Sequence, residues 1–235
     1  MLIEIAEGSG FCFGVERAIR LTGRAADEYG EIYTLGPLIH NKIVTDSLEK
    51  RGVHIAADVE DAAGKPLVIR SHGVGRDTED AAAAKCSVLL DATCPFVKRI
   101  HKIVSEQPPD GTVVILGDGK HPEVMGIMGH AGCKAYACLE FDEVRRVLDE
   151  CEASGGSAAL VVQTTFDRSR FLEYSEKIRE QYCCVKIYDT ICNATSERQR
   201  NAGELAQRAD LMLVVGGRHS SNTGKFAEIC SRYCR

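Results

Sequence analysis

Three cysteines carry the first chemical hint in this chain of 235 residues. Cys12 sits in "GFCFGVERAI", Cys94 in "LLDATCPFVKRI" and Cys192 in "YDTICNATSERQ". Each follows a short apolar run and opens a helical pattern, and Cys94 and Cys192 share an Asp three residues earlier. About one small α/β unit separates each from the next. A helix N-terminus offers unpaired N–H groups and a partial positive charge, which is expected to lower a thiol's pKa and favour the metal-binding thiolate. The chain has 11 cysteines in all. Cys86, Cys133, Cys138, Cys151, Cys183, Cys184, Cys230 and Cys234 lack this shared context and read as packing or harmless exposure. No C-x-x-C occurs, and "CSRYC" lacks a third close cysteine, so the familiar zinc and ferredoxin spacings are missing. Spacing alone leaves a three-thiol site and three ordinary buried thiols both open.

A second set of residues lies in the turns that follow other apolar runs. "GPLIHN" offers His40, "VIRSHGVG" His72, and "ILGDGKHPEV" His121 and Glu123. "VVQTTF" offers Thr164 and Thr165, and "VVGGRHSSNTGK" offers Ser220, Ser221 and Asn222. Any one of these reads equally as a helix cap or a satisfied loop donor. Converging at one end of a sheet, they would instead supply donors and backbone N–H groups to an anionic ligand. The G-x-x-x-x-G-K-[ST] spacing fails, so a nucleotide is not the obvious anion. Glu123 is the acid that follows His121 in these turns. Burial beside an anion would raise its pKa and make it a proton donor, or it is simply an acid favoured by a helix N-terminus.

The elements that must position these residues read as short buried strands alternating with helices. Strands are expected at 2–6, 31–36, 66–70, 87–91, 112–117, 134–138, 158–163, 184–189 and 211–216. In "NKIVTDSLEKRG", Asn41 reads as an N-cap, Ile43, Val44 and Leu48 as one face, and Gly52 as the C′ residue. This alternation predicts an α/β fold with mainly parallel sheets. The recurrent strand–Cys–helix order predicts three similar units. The composition is 44% hydrophobic, enough for a real core, and the net charge of −5 comes without a basic block. Nucleic-acid and membrane-surface partners are therefore not expected. No apolar run approaches the length of about 18 residues that a membrane span needs. The N-terminus lacks a secretory pattern, so a cytoplasmic location is expected.

Taken together, "GFCFGVERAI", "LIHN", "SHGV", "DATCP", "HPEVMGIMGH", "QTTF", "ICNATSERQ" and "VVGGRHSSN" give the chain a family resemblance. It resembles the 4-hydroxy-3-methylbut-2-enyl diphosphate reductases of the non-mevalonate isoprenoid pathway, with the motifs in family order over nearly the whole chain. The resemblance implies three α/β units around a pseudo-threefold axis: 11–94, 95–190, and 1–10 with 191–235. It implies a [4Fe–4S] cluster held by Cys12, Cys94 and Cys192, with the fourth iron open to substrate. The implied reaction is a reductive dehydration giving isopentenyl and dimethylallyl diphosphate. Glu123 would deliver protons, with Thr164 and His121 positioning the hydroxyl or a water. His40, His72, Ser220 and Asn222 would hold the diphosphate, with Ser221 adjacent. A ferredoxin or flavodoxin would supply electrons. Family members continue beyond the "SSN" helix, so the third unit is expected to lack part of its sheet. Two other readings follow: a non-catalytic remnant that binds a cluster or diphosphate, and a zinc hydrolase built on His121 and cysteines.

Overall fold

The apolar runs assemble into two four-stranded sheets, both wholly parallel. The computed structural model describes residues 2–217 and 220–234. In the first unit α1 (Phe13–Tyr29), β1 (Ile32–Leu35), α2 (Lys42–Glu49), β2 (Val53–Ala56), β3 (Pro66–Ile69), α3 (Arg76–Lys85) and β4 (Val88–Asp91) give the strand order β2-β1-β3-β4. In the second, α4 (Pro95–Ser105), β5 (Thr112–Leu116), α5 (Pro122–His130), β6 (Lys134–Cys138), α6 (Phe141–Ala153), β7 (Ala158–Val162), α7 (Arg168–Gln181) and β8 (Val185–Ile187) give β6-β5-β7-β8. The orders correspond strand for strand, so the sequence repeat is also a repeat of topology.

The central strands explain their own composition. β7 is buried along its full length and β5 along all but its first residue, matching the unbroken runs "TVVIL" and "AALVV". Ile115, Leu116, Leu160 and Val161 lose all solvent contact, each contributing about 1.5–3 kcal/mol of burial. Helices cover both faces. α1 turns Ala18, Thr22, Ala25 and Ala26 inward, a helical stripe that keeps it flush on the first sheet.

Seven of the nine expected strands form, with ends shifted by a residue or two. β2 was not expected. Its "VHIA" breaks the apolar run with His54, which an edge strand tolerates because one side stays solvated. Residues 2–6 and 211–216 do not join any sheet among the described residues. A strand needs a ladder partner for its backbone, and neither segment has one. Glu4 pairs instead with Arg208, and the Asn201 amide donates to the Glu7 carbonyl, tying 4–7 to α8 (Asn193–Ala206). Ile3, Ile5, Leu213 and Val215 remain 76–94% exposed. The third segment is thus built from α8 and α9 (Ser221–Cys230), which pack through Ala202, Ala206 and Cys230. No helix among the described residues is long and apolar enough to cross a membrane.

Asn41 does cap α2, accepting from the Val44 N–H at 3.3 Å. Ile43 does not share the buried face with Leu48, being 81% exposed, because it lies about 100° round the helix from Val44. Gly52 falls two residues past the Lys50 C-cap, at φ +84°.

Candidate active site

His40, His72, His121, Glu123, Thr164, Cys94 and Cys192 follow the C-terminal ends of strands, the edge at which parallel sheets place ligands, while Cys12, Ser220, Ser221 and Asn222 open α1 and α9. Cys12, Cys94 and Cys192 occupy the N-caps of α1, α4 and α8. Pro95 takes the first helical position of α4, where its missing N–H costs nothing. A Cβ on Gly14 would stand 2.7 Å from Cys94 Sγ and 3.9 Å from Cys12 Sγ, so only glycine lets α1 approach both sulfurs. Arg17 of α1 donates to the carbonyls of Asp91 and Thr93, fixing the loop that carries Cys94. Cys192 and Cys12 both act on the charge of Cys94, so the three thiols face a common region.

The thiols are also tied to the polar turns. The Cys94 N–H donates to the Ser71 carbonyl at 2.9 Å, and the Cys192 N–H to the Thr164 carbonyl at 3.1 Å. The lower thiol pKa expected from the helix N-terminus is not found at Cys94. Burial pushes it up, and the Phe96 and Val97 N–H groups only partly offset that. Such a thiol gives up its proton when a metal takes its place.

Among the described residues, the only His, Cys, Asp or Glu trio with ligand atoms all within 4.8 Å is His40, His72 and His121. The imidazoles suit an anion better than a metal. The Glu123 N–H donates to His121 Nδ1 at 3.1 Å. That makes Nδ1 an acceptor and leaves the ring proton on Nε2, which becomes a donor and not a ligand. A zinc site at His121 is disfavoured on this ground.

His40, His72 and His121 pack with ring centroids 4.7–5.8 Å apart. Burial, followed by neighbouring positive charge, holds His72 well below the usual histidine pKa and His121 at about 4. At neutral pH the rings of His72 and His121 are therefore uncharged. The Ser71 hydroxyl bonds the Leu38 carbonyl, joining the turn of His72 to that of His40. Gly217 passes against the His40 carbonyl so closely that a Cβ would lie 2.5 Å from it. Arg218 and His219 of the same motif lie outside the described residues.

These groups border a cavity of about 440 Å³, with Cys12, Glu123, Thr165, Ser220, Ser221 and Asn222 also in its wall. Asn222 Oδ1 and His72 Nδ1 are buried with no hydrogen-bond partner among the described residues, unmet polar atoms of the kind a ligand or water satisfies. Ser220 caps α9, and the Ser221 hydroxyl meets that of Thr165 at 2.7 Å.

Glu123 is 2% exposed, and Thr164 grips both its oxygens. The Thr164 N–H donates to Oε1 at 2.6 Å and its hydroxyl to Oε2 at 2.8 Å. Burial raises the carboxyl pKa, while the two Thr164 bonds moderate it. Thr164 itself is not in the described cavity wall, nor are Cys94 and Cys192. Thr165 and Arg198 are in the wall. Thr165 was visible in "QTTF" but not separable from Thr164, because alternation decides which one faces the cavity. Arg198 gives no signal, being one more charge on a helix.

A family model described as "LytB protein" matches residues 3–235. The 4-hydroxy-3-methylbut-2-enyl diphosphate reductase of Alkaliphilus oremlandii is 41% identical over 99% of this chain and 82% of its own length. That of Clostridioides difficile is 37% identical over 98% and 82%. A solved structure of (E)-4-hydroxy-3-methyl-but-2-enyl diphosphate reductase, titled the terminal enzyme of the non-mevalonate pathway, superposes with TM-score 0.74 at 34% identity, over 99% of this chain and 83% of that one. The corresponding reductase of Plasmodium falciparum superposes with TM-score 0.87 at 27% identity, over 95% and 71%.

Proposed function

The chain belongs to the LytB protein family, and from that footing we propose that it reduces 4-hydroxy-3-methylbut-2-enyl diphosphate to isopentenyl and dimethylallyl diphosphate. Two electrons and two protons are consumed: the C–O bond breaks, the allylic hydroxyl leaves with one proton as water, and the other proton goes to carbon. Cys12, Cys94 and Cys192 would hold a [4Fe–4S] cluster. Their number would leave one iron without a protein ligand. When bound, such a cluster supplies electrons and an open Lewis-acid position.

The remaining work falls to the chain's own side chains. His72, His121, Ser221 and Asn222 present neutral donors and acceptors around the diphosphate, with His40 and Ser220 beside them. Neutral donors bind an anion without competing for its protons. Burial disfavours the charged form of Glu123 and raises its pKa, which suits a proton donor. Thr164 fixes that carboxyl, and His121 adjoins it through the Glu123 N–H. A ferredoxin or flavodoxin would bring the electrons, in the cytoplasm. Of the three units 11–94, 95–190 and 1–10 with 191–235, the first would then give Cys12 and Cys94 and the third Cys192.

The observation that carries this reading is the backbone tie from each of two thiols to a substrate turn, Cys94 to Ser71 and Cys192 to Thr164. It couples thiol placement to the anion pocket and the proton donor. Matching over the full chain and four-fifths of the relatives favours catalysis over a binding remnant. In the anaerobic iron-loaded protein, Glu123→Gln should lower kcat by about 10²-fold or more with little change in KM. Unchanged kcat would remove Glu123 from the mechanism.

A further inference from the structure

At the opposite end of the second sheet lies a thiol pair that the chemistry above does not use. Cys183 and Cys184 are both exposed, with their sulfurs 3.4 Å apart. The backbone on either side of them is anchored. The Tyr182 N–H closes α7 onto the Ile178 carbonyl, and its hydroxyl binds Asp149. The Cys184 carbonyl accepts from the Ala158 N–H, and Val185 pairs with Ala158 in the ladder. The pair is thus held between two fixed points while its sulfurs face solvent. Cys184 also borders a small cleft with Cys151 and Glu152. The cleft lies at the start of β7, roughly 20 Å along the strand from Thr164.

We propose that Cys183 and Cys184 form a vicinal dithiol site for a soft, pyramidal centre of the trivalent arsenical class. The bite decides the class. With sulfur bonds of about 2.3 Å, a 3.4 Å separation subtends about 95°, whereas a tetrahedral ion would hold its sulfurs about 3.8 Å apart. The narrow angle belongs to a three-coordinate centre with a lone pair. The hydrogen bond and charge of Cys183 push the Cys184 pKa up, which favours its thiol form. The reaction needs no oxidant. An arsenoxide and two thiols give a cyclic dithioarsinite and one water. Both S–H protons leave on the arsenoxide oxygen, two As–S bonds replace the As–O bond, and arsenic stays trivalent.

The test uses phenylarsine oxide, one equivalent, on the anaerobic iron-loaded full chain, read by native mass spectrometry after desalting. One phenylarsenic adduct per chain is expected, resistant to excess glutathione and removed by dimercaptopropanol. Cys183→Ser and Cys184→Ser should each lose the glutathione-resistant adduct, while Cys133→Ser keeps it. Turnover of untreated Cys183→Ser should equal that of the parent, because the pair is remote from the substrate cavity. An adduct that survives in either serine variant, or that glutathione strips from the parent protein, overturns the proposal.

Discussion

Glu123 and Thr164 set the protonation chemistry of the site between them. Two donors from one threonine stabilise the carboxylate, and burial opposes them. Removing the hydroxyl donor in Thr164→Val should therefore raise the Glu123 pKa further. The limb of the pH–kcat profile on which activity falls with rising pH should move to higher pH, by about 1 unit if that bond contributes its usual ~1.5 kcal/mol. An unmoved limb would mean that another group carries the proton. At this scale the sequence was informative where residue type is rare in its context. Cysteine, histidine and the acid beside His121 stood out in the turns after apolar runs. Partner choice was not legible: nothing in "QTTF" says that Thr164 grips Glu123 while Thr165 meets Ser221. Nor does composition reveal that burial, and not the helix terminus, sets the direction of the Cys94 pKa.

Helices α1, α4 and α5 turn those side chains into one site through close packing. Gly14 is a tight point beside the thiols, and Gly14→Ala should press a methyl group into Cys94 Sγ. The chain should still fold, by circular dichroism, but retain well under half the parent's iron after anaerobic loading. Full iron retention would show that the sulfur has room to move. A second junction stacks His101 of α4 on His130 of α5, ring centroids 4.0 Å apart. His130 bonds the Val74 carbonyl and His101 packs on Gly73, so the pair grips the turn after His72. Burial, with His130 beside it, holds the His101 pKa down at about 3. A histidine with a depressed folded pKa stabilises above its unfolded value of about 6.5, and that stability is lost as pH falls. Between pH 6.5 and 5 the loss is about 2 kcal/mol for His101. Urea unfolding of His101→Phe should show a pH dependence flatter by that amount, and an unchanged slope would count against a neutral buried ring. The elements themselves were largely legible, because buried parallel strands write their burial as unbroken apolar runs. β2 escaped because an edge strand carries no such run.

Across the whole molecule, two repeated sheets frame a site to which the third segment adds Cys192 and α9. The expectation of strands at 2–6 and 211–216 failed for a reason that no local pattern contains. Alternating apolar residues describe a strand only when a partner backbone lies beside them, and here α8 takes the contacts instead. The site was legible as a set of turns, but the backbone ties that link thiols to substrate turns are tertiary and have no sequence signature. Those ties make the thiol set specific, and so the central claim is that Cys12, Cys94 and Cys192, and no other cysteines, hold the metal centre. Iron and acid-labile sulfide per chain, measured after anaerobic loading of the parent, Cys94→Ser and Cys151→Ser, tests it most directly. The account predicts about four iron and four sulfide in the parent and in Cys151→Ser, with loss or conversion of the centre in Cys94→Ser. A colourless parent without iron, or equal loss in both variants, would contradict it.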